Sequence, residues 1–345
     1  MKFGTKHSLT IKVTHMIQTS DLVNFVQKLS PLQRVVIQAH DYPDHDAIAS
    51  AYAMSVLLKE LGIDSIIVYN GEIDRISLSN MIEWLNIPVS HCSKAQLTTM
   101  DKIITIDGCI GERNVTDMPG EEIAVIDHHV VTPPKNLWFC DVREEYGATA
   151  TIMFEYFQAF NISMPKDVAT ALLVGLKIDT AHMTRGVCSA DLKAFVMFNQ
   201  QADLALVNKI CRNEITYSEL KLFEHVCQSV EQTEGVGLAT VSIDCPKNML
   251  GILGDFLLTV NELDVVVVAQ SSQRGIQLSL RSECQYVDVA KVMREQLNIK
   301  NFGFGGGHSH MAGGVVFKEF LDEFIDEEEL HLSPIIDSIL ALRSF

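Results

Sequence analysis

The stretch VVIQAHDYPDHDAIASAYAM, residues 35–54, passes from an apolar run into five aspartate or histidine side chains within seven positions. The apolar run at residues 35–39 is typical of a buried strand. From residue 47 onward, apolar side chains recur at helical spacing, and Gly62 follows as a stop signal. The stretch therefore predicts a strand, a polar loop and a helix, with metal-binding types of side chain concentrated at the loop.

The composition is that of a globular protein long enough for two domains. The chain has 345 residues, of which 47% are hydrophobic and 21% are charged. These proportions exclude a wholly disordered chain and a fibrous repeat. The length allows two separate hydrophobic cores.

The cysteines, the apolar runs and the net charge limit the compartment and the class of partner. Eight cysteines without a Cys-x-x-Cys pair are typical of reduced thiols. We find no secretory signal pattern and no run near the ~20 apolar residues that span a bilayer, so we expect a soluble, cytoplasmic protein without membrane contact. The net charge of −17 disfavours binding of long nucleic acid. A small anionic substrate would need local positive charge.

Short β-branched runs alternate with helical patterns in the first half of the chain, which predicts parallel strands covered on both faces. These runs lie at residues 34–39, 65–70, 102–106 and 122–126. Helical patterns fill residues 147–230. Strand patterns then return at residues 235–243, 263–270 and 275–282. We also predict that the acidic segment at residues 319–330 is the solvated face of a helix.

This order of elements predicts an α/β protein with two domains. We predict a parallel-sheet N-terminal domain over residues 20–200 and a smaller α/β C-terminal domain over residues 233–330. A helical connector over residues 201–232 joins them.

Aspartate and histidine stand at the end of three predicted strands. Ligands bind outside the carboxyl ends of the strands in an open α/β sheet, so these side chains are expected to converge on one site. The candidates after the three strands are His40, Asp44, Asp46, Asp107, Asp127, His128 and His129. Asp179, which closes a helical pattern, is a further candidate. The alternative for a single aspartate is a helix N-cap, but the repetition favours a shared site.

The candidate set predicts the kind of metal. Carboxylates and imidazoles without a thiolate favour a hard divalent ion, Mn²⁺ above all, over structural zinc. Asp107 stands alone after a central strand and could bridge two ions about 4 Å apart, which is the spacing of two-metal hydrolytic sites. Two ions would activate water, clamp a phosphoryl group and supply positive charge.

The glycine cluster GFGGGHSHMAGG at residues 303–314 is a second candidate site. Glycines let backbone N–H groups approach an anion, and His308 follows as a side-chain donor. Arg281 ends a strand pattern and could bind a phosphate through two bonds or stack on a base. A flexible loop is the alternative interpretation of the glycines.

The ordered motifs resemble those of the DHH phosphoesterase superfamily. The pattern H-x-x-x-D-x-D at residues 40–46 is followed by Asp107, by DHH at residues 127–129 and by DT at residues 179–180. The series SLRS, VDVAKV, GGGH and AGG resembles the DHH-associated C-terminal domain. The resemblance covers about residues 20–318. It is greatest to the stand-alone branch of nanoRNases, pAp phosphatases and dinucleotide phosphodiesterases.

The resemblance implies two Mn²⁺ ions in a DHH catalytic domain, with Mg²⁺ or Co²⁺ as substitutes. The implied ligands of the first ion are His40, Asp44 and Asp107. The implied ligands of the second ion are Asp46, Asp107, His128 and Asp179. His129 would face the scissile phosphate and act with Asp107 in catalysis, while Asp127 would orient the neighbouring ligand. The C-terminal domain would close over the substrate. The residues implied to hold its distal end are Arg281, Gly305, Gly306, Gly307 and His308.

Three positions depart from the family pattern. Phe304 interrupts the glycine run, His182 follows the DT pair where a small residue is frequent, and Met311 replaces a frequent alanine. All three lie near the implied substrate position and away from the implied ligands. They therefore bear on the identity of the substrate more than on catalysis.

The resemblance implies a Mn²⁺-dependent phosphodiesterase that hydrolyses short linear oligonucleotides, especially dinucleotides such as pGpG or nanoRNA, to mononucleotides. A cyclic dinucleotide phosphodiesterase and a pAp phosphatase are alternatives within the branch. An inorganic pyrophosphatase or exopolyphosphatase is a further alternative, which the GGGH series disfavours. A nucleotide sensor without turnover is disfavoured by retention of every implied ligand. The resemblance also implies a homodimer.

Overall fold

The computed structural model describes residues 19–30, 34–112, 114–272, 275–326, 329–330 and 332–343. The chain separates into two compact units, Met1–Glu214 and Ile215–Phe345. The division falls inside the segment that the sequence predicts as a connector. The predicted α/β class is confirmed, and each unit is built around its own sheet.

The first unit contains six parallel strands. They are β1 Val35–Ala39, β2 Ser65–Tyr69, β3 Val89–His91, β4 Lys102–Ile106, β5 Glu121–Asp127 and β6 Phe139–Val142. Their spatial order is β3-β2-β1-β4-β5-β6, and all neighbouring pairs are parallel. The order reverses between β1 and β4, so the carboxyl ends of these two strands flank the switch point at which open sheets bind ligands.

Helices cover this sheet and close its core. They are α1 Thr19–Leu29, α2 His45–Glu60, α3 Ile76–Trp84, α4 Thr149–Ala159, α5 Lys166–Asp179, α6 Ser189–Gln201 and α7 Leu204–Arg212, with a 3₁₀ turn at Cys92–Lys94. All five residues of β1 are buried. Because α2 carries small side chains at Ala47, Ala49 and Ala51, it lies deep in the core beside α4 and α5.

The second unit contains a six-stranded, mostly antiparallel sheet. Its strands are β7 Glu231–Thr233, β8 Val236–Val241, β9 Val265–Ser272, β10 Gly275–Ser282, β11 Gly303–His308 and β12 Met311–Phe317, followed by the separate pair β13 Ile325–Asp326 and β14 Glu329–Leu330. The sheet order is β11-β12-β10-β9-β8-β7, and only β8 and β9 are parallel within it, in the described part of the chain.

Two helical layers pack on the faces of this second sheet. The helices are α8 Leu220–Ser229, α9 Lys247–Leu257, α10 Val289–Met293 and α11 Ser333–Arg343; a π-helical turn spans Arg294–Asn298, and 3₁₀ turns span Tyr217–Glu219 and Lys318–Glu323. One apolar cluster joins α10 and α11 to the sheet, and a second joins α8 and α9 to it. The sheet is therefore buried on both faces.

The glycine cluster forms a hairpin and not a flexible loop. Strands β11 and β12 pair from Gly303–Val316 to His308–Met311. A Cβ atom at Gly303 would lie 1.9 Å from the carbonyl oxygen of Val315, so glycine permits the strands to approach. At Gly303, therefore, glycine is needed for the pairing of the two strands.

The predicted helix over the acidic segment is wrong beyond Glu323. The chain there leaves a 3₁₀ turn and enters β13, while Phe324 is fully buried in the core of the second unit. Burial of Phe324 outweighs the helical charge pattern. Residues 327 and 328 of the segment lie outside the described residues.

Among the helices of the described ranges, none combines the length and the apolar character that crossing a bilayer requires.

Candidate metal centre

The loop between β1 and α2 places His40 and Asp44 side by side. The His40 ring donates from Nδ1 to the carbonyl oxygen of Asp41 at 2.9 Å, so Nε2 is the ring nitrogen that could bind a metal ion. Asp44 is the N-cap of α2, because its Oδ1 accepts from the backbone N–H of Ala47 at 3.0 Å. Its Oδ2 lies 3.9 Å from His40 Nε2. Asp44 is thus both a cap and a candidate ligand.

Asp46 is fully buried in the first turn of α2. Its Oδ2 accepts from the backbone N–H of Thr149 at 2.7 Å and its Oδ1 from that of Ala150 at 3.0 Å. The N-terminus of α4, where both donors lie, favours a negative charge. A Cβ atom at Gly175 of α5 would lie 2.9 Å from Asp46 Oδ1. Glycine at that position therefore lets α5 pass close to the carboxylate.

Asp107 occupies the centre of the site. It follows β4 in a left-handed conformation with φ of +58°, held by a hydrogen bond from its N–H to the carbonyl of Ile126 at 2.9 Å. Its Oδ1 accepts from the Thr149 hydroxyl at 2.8 Å and lies 3.6 Å from His128 Nε2. Its Oδ2 lies 3.7 Å from His40 Nε2. Asp107 therefore faces both sides of the site.

The DHH residues at the end of β5 make distinct contacts. Asp127 Oδ1 accepts from His129 Nδ1 at 2.8 Å and from the backbone N–H of His128 at 2.7 Å. His128 donates from Nδ1 to the carbonyl of Tyr146 at 3.0 Å, and its Nε2 lies 3.2 Å from Asp179 Oδ2. A hydrogen bond at Nδ1 thereby fixes the orientation of each ring. Asp127 orients His129, whereas the carbonyl of Tyr146 orients His128.

Three groups of side chains could each hold a metal ion, with ligand atoms within 4.8 Å of one another. The groups are His40, Asp44 and Asp107; Asp46, His128 and Asp179; and Asp107, His128 and His129. The donors are oxygen and imidazole nitrogen, the set that suits hard or borderline divalent ions. Asp107 Oδ2 is buried and accepts no hydrogen bond from the described residues. A cation between these groups would satisfy this oxygen, so the side chains fit a metal centre.

Charge crowding perturbs the protonation of the metal-free site. Burial, joined by the charges of Asp107 and Asp179, raises the pKa of Asp46 well above its ordinary value. Burial raises the pKa of Asp107 to about 6, against the opposing charge of His129. Burial alone would lower the pKa of His128, but its hydrogen bond with Asp179 and the charge of Asp107 raise it overall. The metal-free site therefore holds more protons than separate side chains would.

The second unit contains the five predicted substrate-binding residues. Met311 of β12 pairs with Arg281 of β10 on one side and with His308 of β11 on the other. The side chains of Arg281 and His308 therefore project from the same face of the sheet. Arg281 is only 8% exposed, and its Nε donates to Asp255 Oδ1 at 2.8 Å. A Cβ atom at Gly251 of α9 would lie 2.4 Å from the Arg281 guanidinium. Arg281 therefore packs against α9, whereas His308 is exposed.

The glycines of β11 differ in their surroundings. Gly305 packs on Met293, and its N–H and carbonyl both bond to the side-chain carboxamide of Asn298, at 2.7 and 3.0 Å. A Cβ atom at Gly306 would meet no atom of the described residues within 4 Å. Gly307 has a φ of +142°. Of the three, Gly306 leaves the most open space beside His308.

Sequence reasoning missed three residues that shape the metal centre. Thr149 bonds to both Asp46 and Asp107, Tyr146 orients His128 through its carbonyl, and Gly175 makes room for Asp46. The run YGATAT at residues 146–151 carries a weak signal, since small and hydroxyl residues open a helix there. A backbone carbonyl gives no signal in the sequence.

Two family models match the chain. The DHH family N-terminal domain matches residues 34–176, and the DHHA1 domain matches residues 234–330. These matches fall in the first and second units, respectively.

Similar proteins cover the chain to different extents. An uncharacterized protein of Methanocaldococcus jannaschii is 30% identical over 305 residues, which are 88% of this chain and 62% of that protein. A probable manganese-dependent inorganic pyrophosphatase of Streptococcus thermophilus is 28% identical over 152 residues, 43% of this chain and 49% of the relative. The chain thus spans less than two thirds of either relative.

A crystal structure shares the fold over nearly the whole chain. The exopolyphosphatase-related protein of Bacteroides fragilis superposes with a TM-score of 0.73 at 17% identity. The match covers 96% of this chain and 100% of that one. Both units therefore have counterparts within one known chain.

Proposed function

Because the chain belongs to the DHH family of metal-dependent phosphoesterases and carries a DHHA1 domain, we propose that it hydrolyses short linear oligonucleotides, dinucleotides above all, to mononucleotides. The observation that carries the proposal is the position of Asp107. It belongs to two of the candidate ligand groups and turns one oxygen toward His40 and the other toward His128. A carboxylate in this position could serve as a ligand of both ions in a two-metal hydrolytic site.

We assign two divalent ions, Mn²⁺ in the first place, to this centre. His40, Asp44 and Asp107 would hold one ion. The residues that would hold the other are Asp46, Asp107, His128 and Asp179. The donor set supports a hard divalent ion, and the Streptococcus relative is named as manganese-dependent. When bound, the ions supply Lewis-acid stabilisation of a phosphoryl group and of the water that attacks it.

His129 is proposed to contact the scissile phosphate. Its side chain is 35% exposed, against 12% for His40 and 7% for His128, so it is the histidine of the site that a substrate reaches most easily. Asp127 Oδ1 holds its Nδ1 and thereby directs Nε2 away from β5. In hydrolysis the water oxygen bonds to phosphorus, the P–O bond to the neighbouring nucleotide breaks, and the departing oxygen takes up the proton that the water releases. Burial alone would lower the pKa of His129, but its hydrogen bond with Asp127 and the charge of Asp107 raise it overall, so the protonated ring would donate from Nε2 to the phosphate during this exchange.

The second unit is proposed to bind the part of the substrate away from the cleaved bond. Arg281 and His308 share one face of the sheet, and Gly306 leaves open backbone beside them. Guanidinium, imidazole and backbone N–H groups suit a phosphate or a base. The net charge of −17 offers little attraction to a longer polymer. These features support a short substrate.

Pyrophosphate hydrolysis is the second candidate function. The Streptococcus relative is named as a pyrophosphatase, but the match covers 43% of this chain. Residues 234–330 match the DHHA1 domain and would provide a second binding surface, so we regard a substrate larger than pyrophosphate as the better candidate.

Initial rates with Mn²⁺ on a substrate panel test the proposal. The panel comprises a linear dinucleotide, pAp, a cyclic dinucleotide, pyrophosphate and polyphosphate. We expect the dinucleotide to be hydrolysed with the highest kcat/KM. Preference for pyrophosphate would favour the second candidate, and hydrolysis of none of the panel would refute both.

A pair of aspartates at the two ends of β4 provides the matched control. Asp107 follows the strand and Asp101 precedes it, and both are buried. We expect Asp107→Asn to lose at least 100-fold in kcat, as expected for loss of a central electrostatic contact. Asp101→Asn should retain turnover. Equal losses in the two variants would show that the effect of Asp107 is a general effect on folding.

A further inference from the structure

Tyr42 adopts a backbone conformation that is unusual for an aromatic residue. Its φ is +53°, in the left-handed region that favours glycine and asparagine. Its side chain is 53% exposed. Burial of the ring therefore gives only partial compensation for the strained backbone, which calls for another reason for the residue.

Neighbouring backbone holds the Tyr42 ring in place. The N–H of Tyr42 donates to the carbonyl of Asn70 at 3.0 Å. A Cβ atom at Gly71 would lie 3.0 Å from Cγ and 3.1 Å from Cδ1 of Tyr42, so the ring rests against this glycine. The preceding Asp41 accepts from the N–H and hydroxyl of Thr116 at 3.2 and 2.6 Å. The loop is anchored on both sides of Tyr42, and the ring is pre-positioned.

Tyr42 lies in the loop between β1 and α2, which carries two of the candidate metal ligands, His40 and Asp44. Tyr42 is two residues from His40 and two from Asp44, so its Cα lies within about 7 Å of both of their Cα atoms. Nε2 of His40 and Oδ2 of Asp44 point toward each other across this loop. In a nucleotide the sugar separates a base from its phosphate by several ångströms. A phosphate at the metal centre would therefore bring an attached base to the distance of Tyr42.

We propose that Tyr42 is a stacking platform for one base of the substrate. The inference rests on the proposed function and adds to it a residue that binds the base and takes no part in bond cleavage. Stacking on an aromatic ring tolerates every base because each has a π face. A ring fixed before binding loses little conformational freedom on contact. The platform thus selects nucleotides over inorganic phosphates without selecting among bases.

Two substitutions at Tyr42 separate stacking from backbone strain. Tyr42→Phe keeps the aromatic face. Tyr42→Asn removes it and places at this φ a residue that tolerates the left-handed region. We expect Tyr42→Asn to be at least as thermally stable as the wild type and Tyr42→Phe to bind substrate as the wild type does.

Fluorescence of a non-hydrolysable dinucleotide containing 2-aminopurine, with a phosphonate linkage, reports stacking without turnover. In the presence of Mn²⁺ we expect quenching on binding to the wild type and to Tyr42→Phe. For Tyr42→Asn we expect loss of quenching and a Kd for the dinucleotide at least 10-fold higher, since loss of base stacking has effects of this order. The Mn²⁺-induced rise in melting temperature should be equal in all three proteins.

The outcomes distinguish this inference from the proposed function. Dinucleotide hydrolysis by the wild type, together with unchanged quenching and affinity in Tyr42→Asn, would overturn the platform and leave the function standing. Equal loss of affinity in Tyr42→Phe and Tyr42→Asn would assign binding to the hydroxyl and would also overturn stacking. Failure of the wild type to hydrolyse dinucleotides would overturn both.

Discussion

Replacing Asp107 with asparagine tests the metal centre through stability as well as activity. Burial, opposed by the charge of His129 and reinforced by that of Asp44, raises the pKa of Asp107 from 3.8 to about 6 in the metal-free protein. One pKa unit corresponds to about 1.4 kcal/mol. Keeping this carboxylate ionised at neutral pH therefore costs up to about 3 kcal/mol of the free energy of unfolding.

The sign follows from which state binds the proton more tightly. Between about pH 4 and pH 6 the folded protein holds a proton on Asp107 that the unfolded chain releases, so stability is lost as the pH rises through this window. Asparagine has no such cost, and its carboxamide oxygen can still accept from the Thr149 hydroxyl. We expect metal-free Asp107→Asn to be more stable than metal-free wild type above pH 6 and to lose this advantage toward pH 4.

Mn²⁺ should reverse the order of stability. A ligand at one hundred times its Kd stabilises a protein by about 2.7 kcal/mol for each site. The wild type should gain this stabilisation, and Asp107→Asn should lose most of it because the shared ligand is weakened. Calorimetric melting in EDTA and in Mn²⁺, with Asp101→Asn as the matched control, measures both effects. An Asp107→Asn protein that gains as much from Mn²⁺ as the wild type does would refute the position of Asp107 at the metal centre.

Three further predictions concern other parts of the chain. Asp101 accepts from Arg34 Nε at 2.7 Å and from Nη2 at 2.8 Å, and these hydrogen bonds, opposed by burial, lower the pKa of Asp101 to about 2. Denaturant unfolding should therefore show about 1–2 kcal/mol of stability that is present above pH 4 and is lost toward pH 2. The same contribution should be absent in Asp101→Asn. Asn298→Ala should speed hydrogen exchange along β11, because it removes both bonds to Gly305; unchanged exchange would contradict this role. Initial rates on labelled RNA should fall beyond about five nucleotides, since each phosphate outside the site adds repulsion over a Debye length of about 8 Å, and equal rates on a twenty-mer would contradict it.

The parallel sheet could be predicted because its central strands are buried on both faces. Residues 35–39 and 102–106 therefore consist mostly of apolar side chains, and few other structures suit such short runs. Strands β3 and β6 were not predicted, since they have three and four residues and lack a continuous apolar run. A strand at the edge of a sheet is less buried than a central strand, so its sequence need not contain the continuous apolar run by which a strand is predicted.

The composition of the first loop could not show which side chains face the site. His45 stands between Asp44 and Asp46, yet it is fully buried and belongs to none of the three candidate ligand groups. Burial, joined by the charge of Arg75, lowers its pKa to about 3. Helix geometry turns adjacent residues to different sides, so proximity in sequence to two candidate ligands does not make His45 a third.

The least predictable feature of the first unit is its left-handed backbone. Tyr42, Asp107 and the run Ala181, His182 and Met183 all have positive φ, and each lies within four residues of a candidate ligand or is one. Local rules assign this conformation to glycine and asparagine, so none of these positions could be derived from the sequence. A strand that continued straight past Ile106 would point its next side chain toward one face of the sheet, whereas the turn at Asp107 directs a carboxylate toward His40 and His128. Strain of this kind persists where surrounding contacts enforce it, and here the contacts that enforce it are those that assemble the site.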